Sequence, residues 1–140
     1  MSDSPRPEIP ETHKADMIQA SLKARESSYS PYSKFRVGAA LLTQDKKIYT
    51  GCNIENASFG AAICAERTAF VKAVSEGHRE FIGIAVATDR ADASSPCGIC
   101  RQFMREFGPH LAVLLVNPDG QATPTSLAEL FPMAFSPDDL

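Results

Sequence analysis

Two short segments hold the residue types able to do chemistry at close quarters: Cys64-Ala65-Glu66 and Pro96-Cys97-Gly98-Ile99-Cys100. Cys97 and Cys100 stand three apart, so on the first turn of a helix they share a face. Pro96 suits a helix start, and Gly98 permits close approach of the backbone. Cys64 is placed to supply a third thiol. Three thiolates suit zinc and leave its fourth position open to water. Zinc lowers the pKa of such a water from about 15.7 toward about 7. A carboxylate must then move the protons, and Glu66, two residues past Cys64, is the natural candidate.

Other readings stand beside this one. A C-x-x-C pair alone is equally a metal site, a redox pair of the Cys-Gly-x-Cys type, or an incidental spacing. A closed structural zinc site, in a module that binds a protein partner, needs a fourth ligand, and Cys52 is the remaining cysteine. Cys52 lies twelve residues before Cys64, without zinc-knuckle spacing, which favours a buried small residue.

Helix starts at Cys64 and Cys97 need elements around them. Residues 11–27 predict a helix with Ala15, Ile18 and Leu22, joined by Met17 and the stem of Arg25, along its inner side. Serines and a proline make residues 28–33 a loop. Residues 35–43 and 48–54 form a hairpin across the polar turn at 44–47. After a loop over 55–62, the first cysteine helix runs over 64–76, with Gly77 in the left-handed place beyond its end. Residues 81–88 are apolar almost throughout, as a buried strand is. A polar loop over 89–96 leads to the second cysteine helix at 97–107. A strand at 111–116, a turn at 117–120 and a weak strand at 121–125 follow. Ser126 caps a short helix through Phe131, with Glu129 at the capping-box position. The order α-β-β-α-β-α-β-β-α is that of a layered α/β domain around a central sheet.

With 140 residues, 44% of them hydrophobic, the chain fits one domain with a core that needs no disulfide staples. Residues 1–10 hold three prolines and read as a disordered leader, leaving 11–140 as a single domain. The net charge is -3 and the basic residues are scattered, which argues against a nucleic-acid partner. No 18-residue apolar run and no secretory pattern is present, so the expected location is cytoplasmic, with no membrane partner and with thiols kept reduced. No glycine-rich phosphate cradle and no arginine cluster appears, which suits a neutral small molecule better than a phosphorylated one.

Cys64-Ala65-Glu66-Arg67-Thr68-Ala69 with Pro96-Cys97-Gly98-Ile99-Cys100-Arg101-Gln102 resembles the homotetrameric cytidine deaminase family. The likeness runs from about residue 29 to 140 and takes in residues 31–42 and Gly51-Cys52-Asn53-Ile54-Glu55-Asn56-Ala57. The resemblance implies a three-layer α/β/α domain with a central mixed five-stranded sheet. It implies one Zn2+ per subunit on Cys64, Cys97 and Cys100. Glu66 would take a proton from the water, deliver it to N3 of the cytosine ring, and help ammonia leave. Asn53 and Glu55 would hold the ribose 3′-hydroxyl, the backbone of Ala65 would read the pyrimidine edge, and Phe35 would pack on base or sugar. Without the resemblance, Asn53 reads as a turn residue, Glu55 as a solvated charge and Phe35 as core.

The implied function is hydrolysis of cytidine and deoxycytidine to uridine and deoxyuridine in pyrimidine salvage. The rivals are the structural zinc module and a deaminase of another cytosine compound such as blasticidin S, in which Asn53 and Glu55 would have no ribose to hold. The tail around Phe135 resembles one that closes over a neighbouring subunit, implying a homotetramer with shared active sites and Phe135 stacked on the base. Many relatives carry glycine where Ser136 stands and tyrosine where Phe59 stands. Three thiolates on Zn2+ leave one net negative charge, which opposes ionisation of the water. Two helix N-termini and a hydrogen bond from Arg67 to a ligating sulfur would offset it, whereas the plain reading of Arg67 is a surface arginine. His13, His78 and His110 match no ligand position and are expected to face solvent.

Overall fold

Six of the seven residues of β1 (Val37–Thr43) are buried, as a strand covered on both faces requires. The computed structural model describes residues 6–140. Around β1 it places α1 (Glu11–Arg25), β2 (Ile48–Cys52), α2 (Ala65–Ser75), β3 (Phe81–Thr88), α3 (Gly98–Phe107), β4 (Ala112–Val116), β5 (Ala122–Ser126) and α4 (Leu127–Leu130). Single 3-10 turns lie at Phe59–Ala61 and Pro137–Asp139. The five strands form one sheet in the order β2-β1-β3-β4-β5. Only β3 and β4 run parallel, and α3 supplies the crossover such a pair needs.

The period of two along the strands sorts the sheet's side chains into two cores. Ala39, Leu41, Ile84, Val86, Val113 and Leu115 face Phe70 of α2 and Met104 of α3. Ala40, Leu42, Ala85, Ala87, Leu114 and Val116 face Met17 of α1. The result is three layers, α/β/α, with the sheet in the middle. Phe70, fully buried among Phe81, Phe103 and Phe107, contributes about 1.5–3 kcal/mol relative to exposure.

Two glycines set how closely the helices approach. A Cβ on Gly38 would lie 2.1 Å from the Ser21 carbonyl oxygen and 2.3 Å from the Arg25 nitrogen, so α1 rests directly on the β1 backbone. A Cβ on Gly51 would lie 2.6 Å from the Ala69 nitrogen and 2.7 Å from the Ala65 oxygen. That second contact seats the start of α2, and with it Cys64 and Glu66, over β2.

Several expectations are corrected. The leader expected over residues 1–10 is ordered in its second half, while residues 1–5 lie outside the described residues. Ile9 is 3% exposed and fills the space over Gly83, and Arg6 forks onto Glu129 at 3.0–3.1 Å. On α1 Met17 and Ser21 are buried and Ile18 and Leu22 pack beside them against the same core, as expected of the last two and of Met17, while Ala15 is exposed. Ser21 escapes an apolar-pattern reading because its hydroxyl donates to the Ile18 carbonyl at 2.8 Å, which lets it sit buried. Ser126 caps α4 as expected, but the Glu129 carboxylate takes Arg6 and the Thr125 hydroxyl rather than closing a capping box. β1 begins at Val37 rather than residue 35 because the Arg36 N–H goes to the Asp89 carboxylate instead of a strand. His78 does not face solvent freely: its ring lies tilted against Tyr49, with its side chain 18% exposed and 3.6 Å from Asp45.

Candidate metal and active site

The two cysteine helices start side by side. Cys64 and Cys97 are the residues just before α2 and α3, both with extended backbone, and Cys100 is fully buried in the first turn of α3. Their three sulfurs lie within 4.8 Å of one another, and Cys64 Sγ is 3.8 Å from Cys97 Sγ. Four tetrahedral ligands at about 2.3 Å from zinc are about 3.8 Å apart, so this pair already has the spacing the metal requires. Among the described residues this is the cluster of metal-ligating side chains, and Cys52, in β2, is not part of it.

The sulfurs share charge unequally. Hydrogen bonding from Cys100, with help from Arg67 and Cys97, lowers the Cys64 thiol to about 5 against the cost of burial. Cys100, bonded to that thiolate and buried, is pushed far up. Arg67 Nη2 donates to Cys64 Sγ at 3.6 Å, and its Nε is buried without a partner among the described residues. Glu66 is 4% exposed. Burial raises its carboxyl to about 7, and the charge on Cys64 adds to the rise. A group poised there both takes and gives protons at neutral pH.

Phe35, Asn53, Glu55, Cys64, Glu66 and Cys97 line one cavity of about 290 Å³, the lower end of the range for small-molecule pockets. No lysine or arginine lines it among the described residues. Asn53 is almost used up by the protein. Its Oδ1 accepts from the Val37 N–H at 2.9 Å and from the Ser28 hydroxyl, and its Nδ2 donates to the Phe35 carbonyl at 2.8 Å. One N–H is left. Glu55 accepts the N–H groups of Tyr32 and Ser33 at 2.9 and 3.2 Å, and the Ser33 hydroxyl as well. The Ser33 hydroxyl is the main reason its carboxyl is held below the ordinary range. One acceptor site is left. A donor beside an acceptor is the complement of a hydroxyl group.

Ala65 is fully buried as the first residue of α2, where helix geometry leaves its N–H without an intrahelical partner. Phe135 does not reach this cavity. It is 57% exposed, with its carbonyl held by Gln102 Nε2 at 3.0 Å. Ser136 has extended backbone, φ -146°, so glycine has no conformational advantage there, and it closes a capping box with Asp139.

Sequence reasoning missed Val37, Val86, Thr88 and Ser94 in the lining. It also missed Arg101, which binds the Pro96 carbonyl at 2.8 Å, Ser95 Oγ at 2.9 Å and the Leu130 carbonyl, fixing the loop before Cys97. Val37 had a signal, since the strand expected over residues 35–43 puts it on the same face as Phe35. The partners of Arg101 are set by the fold and had none.

Helix starts that bring three thiols and a carboxyl together on one cavity are the working arrangement of the zinc deaminases. Residues 11–116 match the family model described as the cytidine and deoxycytidylate deaminase zinc-binding region. The chain is 53% identical over 125 residues to a cytidine deaminase of Sporosarcina psychrophila, covering 89% of this chain and 92% of that one. It is 51% identical over 124 residues to a probable cytidine deaminase of Dictyostelium discoideum, covering 88% and 84%. Among solved structures, a cytidine deaminase from Burkholderia pseudomallei superposes with a TM-score of 0.84 at 46% identity, covering 91% of this chain and all of that one. The chain belongs to the cytidine deaminase family of zinc-dependent enzymes.

Proposed function

We propose that this protein hydrolyses the 4-amino group of cytidine and deoxycytidine, consuming one water and releasing uridine or deoxyuridine and ammonia. The observation that supports the reading is that Glu66 shares one cavity with Cys64 and Cys97 of the three-thiol cluster, and that Asn53 and Glu55 line the same cavity. Cys64, Cys97 and Cys100 would hold the zinc. When bound there, zinc supplies the Lewis acidity that makes water a nucleophile at neutral pH. Glu66 takes one proton as the water attacks C4 and passes it to N3 of the cytosine ring, then takes the proton of the new C4 hydroxyl and passes it to the departing amino group. Its raised pKa suits both directions of transfer. The Ala65 backbone reads the pyrimidine edge, Phe35 packs on base or sugar, and Asn53 with Glu55 holds the 3′-hydroxyl. Arg67 offsets the negative charge of the three-thiolate centre. Among the described residues no basic side chain lines the cavity, which favours a nucleoside over a nucleotide.

The reading extends to a homotetramer with shared active sites, in which Phe135 stacks on the base bound by a neighbour. The exposure of Phe59, Met133 and Phe135 supports it. A role in pyrimidine salvage in the cytoplasm fits a chain in which three of four cysteines are gathered as metal donors. Glu66→Gln tests the core of the proposal. It should keep the fold and the zinc and lose about 10²–10⁴-fold in turnover of cytidine. Undiminished turnover would refute it.

A further inference from the structure

We infer that Asp89, paired with Arg36, is a positioning residue for the sugar site, acting through Asn53. The inference rests on the cytidine-deaminating reading given above.

The antiparallel pairing of β1 with β3 ends at Val37 opposite Thr88. One step further, Asp89 stands where the next strand partner of Arg36 would be. Its carboxylate takes over that role. Oδ2 accepts the Arg36 N–H at 2.9 Å and Arg36 Nε at 3.2 Å, and Oδ1 accepts Nη2 at 3.0 Å. Arg25 Nη1, 3.3 Å from Oδ1, donates at 3.1 Å to the Thr88 carbonyl and holds Asp89 from the α1 side. Burial pushes the Asp89 carboxyl up, but the bonds from Arg36 outweigh it, so the group stays ionised at neutral pH.

The short stretch fixed in this way also grips Asn53. The Phe35 carbonyl and the Val37 N–H flank Arg36, and both bind the Asn53 amide. The chain on the other side of this stretch turns sharply, with Lys34 in the left-handed region at φ 60°. No strand among the described residues holds the backbone between Lys34 and Val37; the Phe35 N–H rests on Ser33 Oγ at 3.0 Å, and the Asp89–Arg36 fork holds the next residue. Release of the fork frees the Phe35 carbonyl to move. The amide of Asn53 then loses the orientation that its partners Ser28, Val37 and Phe35 impose. The zinc cluster and Glu66 hang from α2 and α3 and are untouched by this change.

The test compares cytidine with 3′-deoxycytidine on zinc-loaded enzyme. Asp89→Asn should cut the preference for cytidine about tenfold, carried by KM, with kcat within about threefold of the wild type. Arg36→Gln should reduce the preference in the same direction. In an Asn53→Ala background, where the amide is gone, Asp89→Asn should change the preference no further. Equal losses on both nucleosides, or the same drop in the Asn53→Ala background, would overturn the inference. If Asp89→Asn does not fold, Arg36→Gln decides alone, and wild-type preference in that variant overturns the inference. A wild-type protein that leaves both nucleosides intact would count instead against the deaminase reading itself.

Discussion

Arg67 reaches back three residues along α2 and sets its Nη2 3.6 Å from the sulfur of Cys64. The spacing is the i, i+3 neighbour relation of a helix, so the sequence that supplies one ligand also supplies the cation behind it. Three thiolates on a divalent ion leave a net negative charge, and a donor on one sulfur withdraws part of it. Arg67→Gln should therefore weaken zinc retention or turnover by about tenfold or more. Competition with a chelator and steady-state rates on the variant check both. Wild-type values in both would remove Arg67 from the account.

Glu55 has one acceptor site beyond its bonds to Tyr32 and Ser33, and the Ser33 hydroxyl holds its carboxyl below the ordinary range. Replacing it with glutamine removes a charged acceptor while preserving shape. Glu55→Gln should raise KM for cytidine about 10- to 100-fold, as expected for a hydrogen bond to a charged group. The KM for 3′-deoxycytidine should change little, and parallel kinetics on the two nucleosides measure the difference.

Gly38→Ala should destabilise the fold. The added methyl would meet the backbone of Ser21 and Arg25 at 2.1–2.9 Å, where no side chain can swing aside. A cost of about 1–3 kcal/mol is expected, and a fall in Tm of about 5–10 °C. Gly60→Ala is the control. A Cβ there meets nothing within 4 Å, and its Tm should stay near the wild type.

Much of this molecule could be read from the residue pattern because burial imposes that pattern. The strand at Phe81–Thr88 emerged with its bounds intact, since both faces are covered and only apolar residues satisfy that. The cysteine helices were legible because ligand spacing and helix starts coincide at Cys64 and Cys97. Ile9 was not legible. A single isoleucine among prolines carries no periodic signal, and its place over Gly83 exists only once the sheet has formed. Ser21 was not legible either, because a hydroxyl satisfied within its own helix buries as an apolar residue does. At the site, the thiols and Glu66 could be proposed from their chemistry. The spent and unspent hydrogen bonds of Asn53 and Glu55 could not, because their partners at Ser28, Ser33, Phe35 and Val37 come from loops and the start of β1, which converge only in three dimensions.

The most direct measurement is an ultraviolet assay of cytidine turnover by the purified protein, before and after removal of zinc with a chelator and again after zinc is returned. Stoichiometric uridine and ammonia, lost on chelation and restored by zinc, is the predicted result. A zinc-loaded protein that leaves cytidine intact, or a zinc-free protein that deaminates it undiminished, would contradict the account.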